Sequence, residues 1–321
     1  PPAEVAKLRE RMKPVIANTA PMWARPRSMP SWPNWTNCVN DPWAMITGNT
    51  ELIAHIGYPT HSFKAPMIYN PYFEASGIDA VVVPMGCRPE AYPDLLRSLF
   101  RLENVRGALI TMPHKVATVA LLDEASPTVQ VAGACNAVKR GADGRLVGDL
   151  FDGEGFVRSL RRKGLALEGA QALIVGCGGV GSAIAASLAA AGVSRLGLHD
   201  IQPQAAEALA ARLQAHFPTL SVRLHTRDPQ GCDLVVNASP LGMNEGDPLP
   251  IDLDRLSAQT FVGEVVMRAE MTAFLAAAQA RGCRIQVGAD MLFEQIPAYL
   301  EFFGYPSTSA DHLRALARLS Y

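Results

Sequence analysis

The stretch that decides the fold reads Ala172-Leu173-Ile174-Val175-Gly176-Cys177-Gly178-Gly179-Val180-Gly181. Its four apolar residues predict a buried strand, and the alanine-rich run Ser182–Ala191 that follows predicts a helix. Between them, Gly176, Gly178 and Gly181 satisfy the pattern G-x-G-x-x-G. After a strand and before a helix, these glycines allow a tight turn, a close approach to a pyrophosphate and close strand–helix packing. The stretch therefore predicts a Rossmann-type dinucleotide site, with a flexible glycine-rich loop as the alternative.

The next predicted strand, 195–200, ends at Asp200, which lies 24 positions after Gly176. A carboxylate at this place accepts hydrogen bonds from both ribose hydroxyls and repels a 2′-phosphate. The residues that follow, 201–204, include no Lys or Arg that would bind such a phosphate. The sequence therefore favours NAD over NADP. A structural role, with Asp200 as the N-cap of a helix predicted over 203–214, is compatible with this interpretation.

A third segment, Asn237-Ala238-Ser239-Pro240-Leu241-Gly242-Met243, follows another apolar strand. Small residues at the carboxyl end of a strand leave room for a ligand at the crevice of the sheet. An ordinary turn rich in Asn, Ser, Pro and Gly gives the same pattern, so that alternative stays open. The candidate cofactor contacts in this segment are Asn237, Ala238, Ser239 and Leu241.

Strands and helices also alternate in the first half of the chain. Apolar runs predict strands at 52–57, 80–84 and 107–111, with helices at 66–76, near 91–101 and after Lys115. Such alternation is typical of parallel βαβ units. The whole chain is therefore predicted to have an α/β fold.

Composition and charge exclude several classes of protein. Lys and Arg total 29 and Asp and Glu total 30, so the chain has no overall basic field for nucleic acid or an anionic membrane surface. Hydrophobic residues make up 49% of the chain and charged residues 18%, which predicts a large core. No apolar run reaches the roughly 18 residues of a membrane span. We expect neither nucleic acid nor a membrane as a partner.

The six cysteines are scattered and form no C-x-x-C pair. This spacing argues against a disulfide framework and against a zinc site, so no metal is predicted. We interpret them as reduced thiols of a cytoplasmic protein, in keeping with the absence of an apolar signal-peptide core in 1–11. The proline-rich segment 1–43, with most of the tryptophans, is predicted to be an extended arm packed on the body.

A set of segments, in the same order and spacing, resembles the shikimate dehydrogenase family from about Gly48 to Gly304. The segments are Gly48-Asn49-Thr50, Ile56-Gly57-Tyr58-Pro59, Thr111-Met112-Pro113-His114-Lys115, Gly133-Ala134-Cys135-Asn136, Gly148-Asp149-Leu150-Phe151-Asp152-Gly153, the glycine loop, the segment that starts at Asn237, and Met291-Leu292 with Gln295.

The resemblance implies two α/β domains with a cleft between them. An N-terminal arm and substrate-binding domain would cover residues 1–153, and a Rossmann-like NAD-binding domain residues 154–285. C-terminal helices in 286–321 would pack back on the substrate domain. The implied reaction is reversible hydride transfer between a nicotinamide and a ring carbon that bears a hydroxyl group.

The resemblance assigns the catalytic roles to Lys115 and Asp152. Oxidation of an alcohol needs a base that takes the hydroxyl proton as the hydride leaves, and a lysine in a dry cleft serves as one. Asp152 would position the ammonium group and the hydroxyl. Without the resemblance, Lys115 would be interpreted as a surface lysine at the start of a helix.

The resemblance also supplies the remaining site residues, each of which would otherwise be a turn or core residue. Asn136 would hydrogen bond a substrate hydroxyl, and Thr111 and Gln295 would face the same ring. The nicotinamide pocket would be lined by Gly288 and Met291. The other predicted cofactor contacts are Gly179, Val180 and Ile201.

The chain departs from the family where the family binds the substrate carboxylate. Phe63 and Ala65 occupy the places of a Ser-x-Ser pair, with Ser62 one place early, where a local shift would return it to the site. The hydroxyl and amide donors expected elsewhere are replaced by Leu109, Phe151 and Met267. Because an unpaired buried carboxylate is costly, shikimate and quinate are expected to be poor substrates. Four residues are candidates for a different contact to an anion, and each is alternatively a plain surface residue: His61, Lys64, Tyr69 and Arg268.

Two functions of different classes fit these residues. One is an NAD-linked dehydrogenase that acts on shikimate, quinate or a less polar cyclic alcohol, and the other is an NAD-binding sensor without catalysis. A sensor does not need Lys115, Asp152 and Asn136 together, so the enzyme is favoured. We expect a small cyclic hydroxy compound as the partner, and the sequence leaves the oligomeric state open, with a homodimer among the options.

Overall fold

The computed structural model describes residues 46–61, 63–267 and 271–319. The segment 1–43, and with it the prediction of an extended arm, lies outside these residues. So do Ser62, Arg268 and Cys38.

The first sheet, as described, has six strands in the spatial order β2-β1-β3-β5-β6-β4. The strands are β1 (Glu51–Gly57), β2 (Ala80–Gly86), β3 (Val105–Ile110), β4 (Glu124–Ala125), β5 (Ala137–Arg140) and β6 (Leu146–Asp149). The helices of this half are α1 (Pro66–Ser76), α2 (Tyr92–Leu99), α3 (Lys115–Val119), α4 (Pro127–Ala132) and α5 (Asp152–Arg162).

The parallel pairing predicted for this half holds for β1, β2 and β3, whereas β5 is a strand that the sequence analysis did not predict. β5 runs antiparallel to both β3 and β6. A tight turn joins β5 to β6: the N–H of Gly141 donates to the carbonyl of Arg145, and Gly144 adopts a φ of 85°. Strands joined by so short a turn pair antiparallel.

The described second half forms a sheet of six parallel strands in the order β12-β11-β10-β7-β8-β9. The strands are β7 (Gln171–Val175), β8 (Arg195–His199), β9 (Ser221–Leu224), β10 (Leu234–Asn237), β11 (Phe261–Glu264) and β12 (Arg284–Gln286). The helices are α6 (Gly179–Ala190), α7 (Pro203–His216), α8 (Ala273–Ala280), α9 (Gly288–Phe303) and α10 (Ala310–Leu316).

This second sheet has the strand order of a Rossmann domain. Its direction of winding reverses between β7 and β10, and ligands of such sheets bind at the carboxyl ends of the strands beside that point. The glycine loop leaves β7 there, and the segment that starts at Asn237 leaves β10. The predicted α/β fold, with a Rossmann-type second half, is confirmed.

The last helices pack on the first half of the chain. Tyr299 and Leu300 of α9 and Leu313 of α10 share one apolar cluster with Ile53 of β1 and Tyr69 of α1. The exact domain limits at 153 and 285 stay predictions.

Helix α5 connects the two halves and fits closely against its neighbours. A Cβ atom added at Gly153 would lie 2.5 Å from the Ser187 hydroxyl of α6 and would also collide with the carbonyl of Ala183. At Gly155 it would lie 2.7 Å from the Cβ of Gln295 of α9. Both glycines therefore allow the N-terminal end of α5 to pack closely against the second half.

Gly153→Ala is expected to lower the free energy of unfolding by about 1–3 kcal/mol, because the added methyl group overpacks the contact between α5 and α6. Urea denaturation measures this change. Gly48→Ala is the control, since a Cβ there has nothing within 4 Å. Equal stability of the two variants would contradict the close approach.

Membrane spans, metal sites and cysteines can be assessed in the described residues only. There, no helix is both long enough and apolar enough to cross a bilayer. Nor does any group of His, Cys, Asp and Glu side chains in those residues have the arrangement of a metal site. The cysteines among them are all free thiols, namely Cys87, Cys135, Cys177, Cys232 and Cys283.

Candidate active site

Two helix starts bring the predicted catalytic side chains together. Lys115 is the first residue of α3 and Asp152 the first residue of α5. The Lys115 Nζ donates a hydrogen bond to the Asp152 Oδ2 at 2.6 Å. The Asp152 side chain is only 8% exposed and that of Lys115 is 23% exposed. A carboxylate in the first turn of a helix interacts favourably with the helix dipole.

The turn before Lys115 is anchored by a residue that the sequence analysis did not single out. The His114 Nε2 lies 2.8 Å from the carbonyl oxygen of Cys87, and the ring stacks on Tyr92 at 4.0 Å. Burial lowers the pKa of His114, so the ring is neutral at pH 7. The only signal for this role is a histidine directly before a helix, which sequence alone cannot separate from a surface histidine.

Asn136 lies beside the catalytic pair and keeps part of its amide free. Its Oδ1 accepts a hydrogen bond from the N–H of Phe151, the residue before Asp152, at 3.0 Å. Its Nδ2 is buried and has no hydrogen-bond partner among the described residues. A buried donor without a partner is uncommon, and such a group is suited to bind a ligand.

Gln295 approaches the same place from α9. It packs against Gly155, one turn after Asp152 on α5. Its Oε1 is buried and, like the Asn136 Nδ2, has no partner in the described part of the chain. The structure therefore brings Lys115, Asp152, Asn136 and Gln295 into one neighbourhood, as predicted.

The end of strand β1 adds an aromatic side chain to this neighbourhood. A Cβ atom added at Gly57 would lie 2.9 Å from the Cζ of Phe63 and 2.8 Å from the carbonyl oxygen of Met112, and would also touch the Thr111 methyl group. Phe63 and Thr111 are both half-buried. Phe63 therefore lies over the strand end beside Thr111, where it covers the backbone that leads to Lys115.

The glycine loop is a defined turn with open space above it. Gly176 has a φ of 101°, and a Cβ there would lie 2.6 Å from the carbonyl carbon of Ala238. A Cβ at Gly181 would collide with the carbonyl of Gly176, whereas Gly178 and Gly179 have nothing within 4 Å on that side.

The loop also offers donors. Gly178 is the N-cap of α6 and makes no side-chain cap. The first N–H groups of a helix have no partner within the helix and attract anions. The loop therefore fits a pyrophosphate, and this geometry does not favour the flexible-loop alternative.

Asp200 is tied to the glycine loop. Its Oδ2 accepts a hydrogen bond from the N–H of Cys177 at 2.7 Å, and its Oδ1 accepts one from the N–H of Gln202 at 2.8 Å. The N-cap of α7 is Gln202, so the alternative of Asp200 as that N-cap is wrong. Ile201, beside it, is 91% exposed.

Two basic side chains that are remote in sequence lie near this strand end. Burial lowers the pKa of His199, and Arg227 and His225 lower it further by their charge. Arg227 donates to the carbonyl oxygens of Pro250 and Leu249 at 2.6 and 3.0 Å. His225 lies 3.4 Å from the carboxylate of Glu207. The sequence analysis considered only the residues next to Asp200 and missed both.

The segment after β10 is braced by its own side chains. The Asn237 Nδ2 donates to the carbonyl of Leu241 at 2.8 Å, and its Oδ1 accepts a hydrogen bond from the Ser239 hydroxyl at 2.6 Å. Ala238 packs against the glycine loop at Gly176. These three side chains shape the strand end beside the loop.

A buried carboxylate supports this strand end and was also missed. Glu264 is paired with Asn237 in the register of β10 and β11 and is fully buried. The Thr272 hydroxyl donates to its Oε2 at 3.0 Å, and burial raises the pKa of Glu264. The only sequence signal is an acidic residue at the end of an apolar strand.

The predicted nicotinamide residues lie at the start of α9. A Cβ at Gly288 would lie 2.9 Å from the carbonyl carbon of Val265, so the helix start fits closely under the end of β11. Met291 is buried in the apolar core of the second half. The roles of both residues toward a cofactor stay predictions.

Comparison with known proteins agrees with this geometry. A sequence model of the shikimate dehydrogenase substrate binding domain matches residues 55–138. The shikimate dehydrogenase (NADP(+)) of Rubrobacter xylanophilus is 35% identical over 257 residues, which are 78% of this chain and 89% of that protein. The chain belongs to the shikimate dehydrogenase family.

Solved structures of the family have the same fold. The shikimate 5-dehydrogenase of Listeria monocytogenes, in complex with shikimate and NAD, has a TM-score of 0.79 at 26% identity and covers 84% of this chain and 97% of that one. The ligand-free 5-ketofructose reductase of a Gluconobacter strain has a TM-score of 0.76 at 25% identity, and the match covers 84% of this chain and 99% of that one. This member of the shikimate dehydrogenase family is an oxidoreductase that uses a nicotinamide dinucleotide.

Within the family, three departures of this chain, Leu109, Phe151 and Ala65, lie in or against one apolar cluster. Leu109 is paired with His55 in the register of β1 and β3 and is buried. Phe151 is buried against Tyr299, with ring centroids 4.9 Å apart. Ala65 is half-buried against the same apolar cluster. None of these three side chains has a hydroxyl or amide donor.

The other anion contacts considered from sequence have different surroundings. Tyr69 is fully buried, and burial raises its pKa well above the usual value, so the surface alternative is wrong for this residue. His61 is exposed and Lys64 half-buried. Met267 is 57% exposed, which places it at the surface rather than in a packed wall.

Proposed function

We propose that the protein is an NAD-preferring dehydrogenase of a cyclic alcohol, in which Lys115 and Asp152 are the acid–base pair. The observation that carries the proposal is the 2.6 Å contact between the Lys115 Nζ and the Asp152 Oδ2. The pair lies beside the unpartnered amide of Asn136. A non-catalytic sensor gives no physical reason for this arrangement.

The residues of the chain then act as follows. The Asn136 Nδ2 donates a hydrogen bond to a ring hydroxyl and fixes its position. Lys115 in its neutral form takes the proton of the reacting hydroxyl, and Asp152 stabilises the ammonium group that forms. In the reverse direction, Lys115 returns that proton to the carbonyl oxygen. A bound nicotinamide dinucleotide supplies the hydride or accepts it.

Partial exposure of Lys115 matters for turnover. Its side chain is 23% exposed while that of Asp152 is 8% exposed. The proton that Lys115 takes is therefore released directly to water, and no further relay is needed.

The preference for NAD rests on Asp200. Its carboxylate lies at the strand end where the adenosine ribose binds in Rossmann domains, and a 2′-phosphate there meets a like charge. The Arg227 guanidinium, which influences the neighbouring His199, donates its hydrogen bonds to two backbone carbonyls. The Rubrobacter xylanophilus relative is named for NADP, so this proposal separates the chain from that protein.

The substrate is proposed to differ from shikimate at the carboxylate. Phe63 and Ala65 offer no hydroxyl, and Leu109 and Phe151 make the wall apolar. A site that lacks donors for a charged group binds that group weakly. The 5-ketofructose reductase among the structural neighbours is named for a keto sugar, so a member of this fold with a different substrate has a precedent.

Shikimate and quinate are expected to show a high KM, and Phe63→Ser with Ala65→Ser is expected to improve shikimate oxidation about tenfold, the value of one or two hydrogen bonds. NADH absorbance during turnover measures both. Ala142→Ser, at an exposed position of the turn between β5 and β6, is the control. A shikimate KM in the usual range of about 1 μM to 1 mM for the unaltered protein would contradict the substrate proposal.

A panel of cyclic alcohols tests the proposed function itself. NADH formation with at least one of them supports a dehydrogenase. Binding of NAD without turnover of any compound would support the sensor and overturn the proposal.

A further inference from the structure

His55 occupies a place in strand β1 where the sequence pattern calls for an apolar residue. Ile53 and His55 point to the same face of the sheet, because side chains alternate along a strand. Ile53 belongs to the apolar cluster on that face. Gly57, the next position on this face, lies under Phe63. His55 therefore lies one step before the strand end that leads to the candidate active site.

The His55 ring is held firmly but is not satisfied. Its centroid lies 4.0 Å from that of Phe63, with the rings tilted by 31°. The residue is 9% exposed. Its Nδ1 is buried and has no hydrogen-bond partner among the described residues. His114, by contrast, is equally buried and binds the carbonyl of Cys87, which shows how this protein satisfies a structural histidine.

Lys115 is close enough to influence His55. Burial lowers the pKa of His55 to about 4, and the Lys115 ammonium contributes to the shift. At pH 7 the imidazole is thus neutral, with one donor and one acceptor nitrogen. The neutral His55 imidazole lacks the positive charge that would pair with a substrate carboxylate.

A role as a proton relay is less well supported than a role in binding. Lys115 is 23% exposed and reaches water by itself. The stack on Phe63 fixes the ring, and a fixed ring is suited to recognise a group of defined position. Among the described residues, the His55 Nδ1, the Asn136 Nδ2 and the Gln295 Oε1 are buried polar atoms near Lys115 and Asp152 that have no hydrogen-bond partner. All three belong to uncharged groups, while the Lys115 charge is paired with Asp152.

We infer that His55 is a specificity-determining residue, which hydrogen bonds an uncharged hydroxyl or carbonyl of the substrate at the end of the pocket where Phe63 has removed the hydroxyl donors. The preferred substrate is accordingly an uncharged cyclic polyol or its ketone, not a ring carboxylate. This inference rests on the proposed dehydrogenase function and names the substrate class of the same site.

The test compares shikimate with methyl shikimate, which has the same ring hydroxyls but no charge. The unaltered protein is expected to oxidise methyl shikimate with a kcat/KM at least about tenfold higher, because a donor-poor wall accepts the ester more readily than the anion. A kcat/KM equal to or higher for shikimate would overturn the inference and leave the dehydrogenase proposal intact. Failure to oxidise either compound or any other cyclic alcohol would overturn the function, and the inference with it.

Two variants test the role of His55 itself. His55→Leu keeps the packing on Phe63 but removes both nitrogens, and it is expected to raise the KM for methyl shikimate about tenfold with a smaller change in kcat. His55→Asn places an amide near the Nδ1 position and is expected to recover most of the lost affinity. His312→Leu, on the surface beside Tyr72, is the control for loss of a histidine.

A purely structural role predicts a different result. In that case His55→Leu would leave the KM unchanged, and His55→Asn would be the worse variant, because its smaller side chain packs less well on Phe63. Either of these results would overturn the inference. Thermal unfolding of each variant, measured alongside, ensures that only folded protein is compared. If His55→Leu does not fold, the KM of His55→Asn against that of His55→Gln decides, since only asparagine reaches the Nδ1 position.

Discussion

Lys115→Met is expected to lower kcat at least about 100-fold, the usual size of a general acid–base contribution. The variant keeps the length of the side chain but has no group that takes the hydroxyl proton. Asp152→Asn is expected to have a similar effect, because the ammonium group then loses its charged partner at 2.6 Å. Steady-state kinetics with the best substrate of the panel measure both.

The protein contains a matched control for this experiment. Lys163 forms an equally short ion pair with Asp290, also 2.6 Å long, at the opposite end of α5 from Asp152. Lys163→Met therefore removes an ion pair but leaves Lys115 and Asp152 unchanged, and kcat should change little. The dissociation constant for NAD should stay unchanged in Lys115→Met and Asp152→Asn. Near-normal turnover of both Lys115→Met and Asp152→Asn would refute the assignment of the pair.

The second large effect is expected in the choice of cofactor. The unaltered protein should prefer NAD over NADP by about 100-fold in kcat/KM, since like charges disfavour the 2′-phosphate by a few kcal/mol at short range. Asp200→Ser with Ile201→Arg removes the carboxylate and adds a cation at an exposed position. This double variant is expected to reverse the preference.

Two further variants separate charge from loop geometry. Asp200→Asn retains an oxygen that accepts from the N–H of Cys177, so it changes the charge while it preserves the tie to the glycine loop. It should raise activity with NADP without loss of folding. Glu207→Gln removes a carboxylate beside His225 and should leave the ratio unchanged. A preference of the unaltered protein for NADP would contradict the prediction, and loss of that preference in Arg227→Gln would then identify the phosphate contact.

Local sterics explain why the sequence predicts the glycine loop so well. Gly176 needs a φ of 101°, and Gly181 leaves no room for a Cβ against the carbonyl of Gly176. Few other residues satisfy both demands. The strand before the loop and the helix after it follow from short-range apolar patterns. Such features are determined within about twenty residues and need no knowledge of the rest of the chain.

Pairing between distant segments is a different matter. The short turn after β5 makes it antiparallel to β6, but its pairing with β3, which lies far from it in the sequence, is decided by the tertiary structure. Likewise, Lys115 and Asp152 are 37 positions apart. The family resemblance names both residues, but their contact depends on how α3 and α5 begin at the same end of the sheet.

The surroundings of single polar groups depended most on the tertiary structure. In the sequence, His55 is one polar residue in an apolar run and Arg227 is remote from Asp200. The fold places His55 under Phe63 with an unpaired nitrogen, and brings Arg227 near the end of β8. The sequence alone thus determined the loop, the elements and the residue types of the site. The distances, burial and unpaired atoms were decided by packing, because each depends on side chains that several separate elements contribute to one place.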